Sequence, residues 1–305
     1  MVLLVLAWAI SWPLVKVGVT SVPPIWYGCL RYAAAAACLF ALVAWRGELA
    51  FPPRADWALV AVSATLQMAA YSALTGLALT MLPPGRASVL AFSTPIWVVP
   101  LAAWRLRERI SRLGKLGMLL GLLGVAAIAS PSLAPGADRQ MLAYLMLMGA
   151  AAAWAISIVF VRSHRFTATA LALAPWQMLA ASGLLLALAV LGEGAPPALG
   201  PHAIATLAYV GPVATAFAYW AVVEAGRHLP ASTLSMALLA TPSLGILVSA
   251  LALGEPVGLS LVAGVLLTAA GIRLATLPAG ASARPRLLRR RLRETGTDGS
   301  TKPVE

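Results

Sequence analysis

In a chain where charge is scarce, the few residues able to do chemistry stand out by their setting. Pro95 and Pro242 each lie inside a long apolar run behind a threonine, as Thr94-Pro95 and Thr241-Pro242. A proline within a helix brings no amide, so the carbonyls of Ala91 and Leu238 lose their usual partner. They become acceptors for a polar solute, or for Thr94, Thr241 or a neighbouring helix. Lys16, Arg31 and Glu224 are charges in or at the ends of apolar runs, and a charge at the centre of a membrane helix costs about 2.5–3.5 kcal/mol. Lys16 stands roughly one turn from the end of its run, within snorkelling reach of water. Arg31 follows Tyr27 at i+4, a spacing that offers an aromatic face or a carbonyl. Glu224 precedes Arg227 and His228, the arrangement of a local ion pair. Trp8, Trp12, Tyr71, Trp154, Tyr219 and Trp220 are candidates to line a cavity for flat or amphipathic solutes, or to sit in interfacial belts.

Nothing in the residue pattern calls for catalysis, a metal or a cofactor. His164, His202 and His228 are scattered, with no Cys or His at ligand spacing. Cys29 and Cys38 fall in one apolar run about 13 Å apart along a helix axis, too far for a disulfide. A Ser in a G-x-S-G setting, a His pair on a helix and paired mid-span aspartates are all missing, so an intramembrane enzyme is disfavoured. No carboxylate is central, which leaves protons as a candidate coupling ion without an obvious carrier.

The elements that must position these residues follow from composition. The chain has 305 residues, 61% hydrophobic and 10% charged, against about 25% charged in a soluble domain. Apolar runs near 2–20, 25–45, 57–79, 85–104, 113–130, 141–162, 167–191, 203–224, 231–251 and 259–277 are separated by Pro, Gly or charge. The first run lacks the basic leader of a signal peptide and is read as a span. Ten spans put both termini on one side. With that side cytoplasmic, the inner loops hold Arg46, Arg54, Arg105, Arg107, Arg109, Arg112, Lys115, Arg162, Arg165 and Arg227, and the outer loops hold Arg86 and Arg139. The bias follows the positive-inside rule. It also accounts for much of the +12 net charge, so nucleic acid is not an expected partner. Residues 279–305 are too polar to pack and are expected to be a disordered basic cytoplasmic tail facing the anionic leaflet.

The string Ala7-Trp8-Ala9-Ile10-Ser11 recurs as Ala153-Trp154-Ala155-Ile156-Ser157. At the same offset Lys16 meets Arg162 and Arg31 meets Gln177. One residue later in register, Leu82-Pro83 falls on Leu229-Pro230, Ser88 on Ser235, Thr94-Pro95 on Thr241-Pro242, Glu108 on Glu255, Gly117 on Gly264 and Gly124 on Gly271. The chain reads as two copies of one five-span unit, and an odd number of spans inverts the second copy. The loop after span four is strongly basic and its equivalent, 254–259, carries no basic residue, as inversion requires. The duplication of Glu108 and Glu255 points to a structural turn role.

These features resemble the ten-helix EamA-type members of the drug/metabolite transporter superfamily over residues 1 to about 277. The resemblance rests on the Trp-rich first span with Lys16, Pro23-Pro24 followed by Arg31, the two Thr-Pro pairs, and Leu253-Gly254-Glu255-Pro256 followed by Gly264 and Gly271. The first copy departs from the pattern at Arg107-Glu108, where Gly-Glu is usual, and the shape of that turn is in question. The resemblance implies an all-α integral membrane fold of two inverted five-helix repeats, 1–138 and 139–278, with spans five and ten as a scaffold pair. It implies a carrier, commonly an exporter, of an amino acid, metabolite or drug across the bacterial inner membrane; a lipid or lipid-linked sugar flippase is the alternative within the fold. Expected substrate contacts are Trp8, Trp12, Lys16, Tyr71, Pro95, Trp154, Tyr219 and Pro242, with Arg31, Glu224, Glu108 and Glu255 in coupling or structural roles. The lipid bilayer is the expected partner, and a homodimer stays open.

Overall fold

Prolines open several of the helices and left-handed residues close them. The computed structural model describes residues 2–107, 110–130, 138–164, 167–228 and 231–275. Among these residues the chain forms helices and no strand: α1 (Val2–Ser21), α2 (Pro24–Trp45), α3 (Arg54–Met81), α4 (Pro84–Arg105), α5 (Arg112–Ala129), α6 (Asp138–Ser163), α7 (Ala170–Gly192), α8 (Pro201–Tyr209 continuing through Val210–Phe217 and Ala218–His228), α9 (Ala231–Leu253) and α10 (Leu259–Ala275). Pro24, Pro84 and Pro201 start α2, α4 and α8, where the missing amide would have had no helical partner. Among the described residues, eight helices, α1 to α8, are long and apolar enough to cross a membrane. Shorter apolar segments are Ala240–Leu253 within α9 and Leu259–Ala275.

Three irregularities matter for the interior. Both α3 and α8 widen into π-helix, over Ser63–Ala70 and Val210–Phe217, a rare geometry that tends to occur at functional positions. The expected single span at 85–104 is broken: Pro84–Ala91 and Thr94–Arg105 are separated by a turn at Phe92 and Ser93. The third is a set of left-handed residues, Gly47 (φ 69°) after α2, Gly194 (φ 83°) after α7, Gly254 (φ 65°) after α9 and Arg107 (φ 56°) after α4. The turn at Arg107 therefore keeps the handedness of its glycine counterpart.

Three carboxylates tie distant parts of the chain together at helix starts. Glu193 accepts the amides of Ile25 (3.0 Å) and Trp26 (2.9 Å) at the start of α2. Glu255 accepts those of Gly85 (2.8 Å) and Arg86 (3.3 Å) in α4. Asp56 accepts the amides of Thr167 (3.0 Å) and Ala168 (2.8 Å) and the Thr167 hydroxyl (3.0 Å) just ahead of α7. Each meets the positive end of a helix with unpaired donors. The basis is different for α5 and α10, which cross backbone to backbone. A Cβ on Gly271 would lie 2.4 Å from the Gly121 nitrogen, and one on Gly117 would lie 2.4 Å from the Ala275 nitrogen. Leu116, Leu119, Leu123 and Leu266 point outward from this pair and are exposed, as an apolar solvent allows. Glu108 and the tail 279–305 lie outside the described residues.

Candidate functional site

The interior of the bundle holds a cavity of about 150 Å³. On α1, Trp8, Ser11, Trp12 and Val15 face it, the i, i+3, i+4, i+7 series of one helical face. Gln67, Met68, Tyr71, Thr75 and Leu79 line it from α3, and Val210, Ala214, Thr215 and Tyr219 from α8. The π-helical stretches of α3 and α8 thus form part of two walls. Arg31 and Tyr32 of α2, Phe92 of α4, Trp154 of α6 and Met178 of α7 complete it.

Aromatic rings dominate the walls and hold one another. Phe92, at the break in α4, lies 6.2 Å from the ring of Trp8 and 6.3 Å from that of Trp12. Tyr71 and Trp154 meet edge to face at 5.0 Å. The Trp8 indole N–H donates to the Ala214 carbonyl (3.0 Å), while on the other side Ser157 donates to the Gln67 side chain (3.2 Å). Arg31 is the single charged residue among the described lining. Its Nη2 donates to Ser72 Oγ (3.0 Å), its guanidinium carbon stands 4.7 Å from the centre of the Tyr32 ring, and its Nε is buried without a partner. Gly211 lets α8 approach here: a Cβ at that position would lie 2.8 Å from Ala34 Cβ and 3.3 Å from the Arg31 carbonyl.

The profile of the EamA-like transporter family matches residues 1–130 and 141–277. The chain belongs to that family. This EamA-like protein is 23% identical over 272 residues to Uncharacterized transporter YoaV of Bacillus subtilis (strain 168), covering 89% of this chain and 93% of that protein. Uncharacterized transporter YvbV of the same organism is 25% identical over 276 residues, covering 89% and 88%. A solved crystal structure shares the fold with a TM-score of 0.63 at 23% identity, covering 92% of this chain and 98% of that one. The EamA-like chain is a multi-pass membrane protein whose relatives are named transporters.

In the EamA-like fold, Trp8, Trp12, Tyr71, Trp154 and Tyr219 come together around the cavity. Lys16 lies beside it and donates to the Leu79 carbonyl. Pro95 is not among the lining residues, and the Ala91 carbonyl that it deprives of an amide accepts the Thr94 hydroxyl instead (2.9 Å). Pro242 borders a separate small recess with Val89, Phe92 and Thr268. Glu224 pairs with His228 (3.2 Å), and Glu255 caps α4 rather than the helix it follows. Trp220 lies tilted against Phe217, with ring centroids 5.8 Å apart. Phe92 and Gln67 were not among the expected site residues. A signal for Phe92 existed, since it stands three residues before a mid-span proline; Gln67 is an uncharged polar residue deep in α3.

Proposed function

We propose that this EamA-like protein is a secondary transporter that exports a small organic solute across the bacterial cytoplasmic membrane by alternating access, with ten spans forming two inverted copies, 1–138 and 139–278, and both termini cytoplasmic. The carrying observation is the shared cavity, whose aromatic wall draws on α1, α3 and α4 from one copy and α6 and α8 from the other. A site between two such units changes its access when they rock against each other.

The backbone supports the two-copy reading. The π-helical stretches begin 147 residues apart, and so do Gly47 and Gly194, and Arg107 and Gly254. A polar pair repeats as well: Arg31 with Ser72 between α2 and α3, and Tyr219 with Gln177 (3.2 Å) between α8 and α7. Copies of five spans each are necessarily antiparallel in the membrane.

Two experiments test the reading. Everted vesicles containing the protein are expected to accumulate a member of an amino-acid, organic-acid and drug panel above control vesicles, with the proton gradient altering the extent. No difference for any solute class argues against a transporter. A reporter after Arg293 is expected in the cytoplasm and one near Pro135 in the periplasm; both on the same side would overturn the inverted arrangement.

A further inference from the structure

Among the described residues, the cavity's one cation has no counter-ion. Among the chain's ten acidic residues, Glu108, Glu294, Asp298 and Glu305 lie outside the described residues. Of the rest, Glu48 pairs with Arg46, Glu224 with His228, and Asp56, Glu193 and Glu255 are occupied at helix starts. Asp138 is exposed in the first turn of α6. None of these lines the cavity. Arg31 meets one hydroxyl and one ring face, and its buried Nε lacks an acceptor among the described residues. Such a group within a membrane helix is costly until an anion joins it. The guanidinium fork is also the side chain best matched to a carboxylate.

The asymmetry between the two repeated polar pairs sharpens this point. Where α2 carries Arg31, α7 carries Gln177, whose carbonyl is taken by the Tyr219 hydroxyl. One copy is charged and the other is neutral, so the site offers a single positive anchor surrounded by rings. A cavity of about 150 Å³ is the size that holds a benzene-like molecule.

We infer that the substrate is a small organic monoanion, a carboxylate carried on one aromatic ring or an apolar body of that size, with its charge on Arg31 and its ring against Trp8, Tyr71 and Trp154. The inference rests on the cavity being the transport site. An amine of the same shape meets no carboxylate there among the described residues.

Phenylacetate, phenylacetamide and phenethylamine share a ring and chain and differ in charge. Titrated into the protein in nanodiscs and followed by tryptophan fluorescence, phenylacetate is expected to bind saturably and at least about tenfold tighter than either analogue, the scale of a lost charge-assisted hydrogen bond. Arg31→Gln places in α2 the residue that α7 already carries, and it is expected to reduce phenylacetate affinity to the level of the amide with an unchanged melting temperature. Arg31→Lys should retain part of the preference. The comparison of the three ligands on the unaltered protein stands even if a variant does not fold. Equal binding of the three, preference for the amine, no binding of phenylacetate, or an Arg31→Gln protein with normal affinity would each overturn the inference. Counterflow in proteoliposomes separates it from the transport reading. Arg31-independent flux of phenethylamine alone keeps the transporter and removes the anion site, whereas Arg31-dependent binding of phenylacetate without flux of any solute does the reverse.

Discussion

The carboxylate of Glu255, in the turn after α9, holds the backbone amide of Gly85 at 2.8 Å, 170 residues away at the start of α4. Gly85 is the residue that permits this approach, because a Cβ there would lie 2.7 Å from Glu255 Oε2. Burial pushes the Glu255 carboxyl above its ordinary value of 4.5, against the opposing pull of the Gly85 and Arg86 amides and of the Arg86 and Lys16 charges. The folded protein therefore holds this proton more tightly than the unfolded chain does. The resulting stabilisation is complete below about pH 4.5 and is lost as pH rises through the raised value. Thermal melts across that window are expected to show the slope in the native protein and to lack it in Glu255→Gln. Glu255→Ala, which leaves the two amides without an acceptor, should cost about 1–3 kcal/mol at neutral pH. A pH slope that survives Glu255→Gln assigns the effect to another group.

The crossing of α5 and α10 gives a steric prediction. Gly271→Ala puts a methyl 2.4 Å from the Gly121 nitrogen and 2.6 Å from the Gly117 carbonyl, and backbone cannot yield as a side-chain tip can. The helices must separate, at about 1–3 kcal/mol as for other overpacked sites. Gly183→Ala, with nothing within 4 Å, is the control. Melting temperatures in detergent should fall for the first and hold for the second.

Arg107 carries strain that its counterpart avoids. At φ 56° it occupies the region where Gly254 sits at 65°, and an L-residue pays roughly 1 kcal/mol there relative to glycine. Arg107→Gly should therefore raise stability by up to about 1 kcal/mol. An unchanged or lower melting temperature would mean that the Arg107 side chain contributes enough to offset its backbone.

Helix starts were legible because they are local signals. Pro23-Pro24 and Pro83-Pro84 mark helix starts whatever surrounds them, and the recurring Trp8 and Trp154 strings need no tertiary information. The helix-start clamps of Glu193 and Asp56 were not legible. A carboxylate near a helix end reads as a solvated loop charge until the fold brings a helix start from more than a hundred residues away. The π-helical stretches were hidden for another reason: Ser63–Ala70 and Val210–Phe217 share a backbone shape but little composition. Arg31 was visible as a charge within an apolar run, but the absence of a counter-ion among the described residues depends on where each of their acids ends up.

Pro95 acts on the cavity through Phe92. Without the Pro95 amide, α4 stops at Ala91 and restarts at Thr94, the Thr94 hydroxyl takes the Ala91 carbonyl, and Phe92 turns in against Trp8 and Trp12. Pro95→Ala supplies the missing donor, so the helix can run through and the Thr94 bond becomes redundant. Stability should hold or rise, because an unfavourable break is removed. Transport should fall, because a straight α4 carries Phe92 away from the two indoles and opens the wall of the cavity. Phe92→Leu removes the ring while leaving the break, and it is expected to reproduce the transport defect without the gain in stability. A Pro95→Ala protein that is more stable and still transports at the normal rate, beside a Phe92→Leu protein that does not, would show that the ring finds its place without the break.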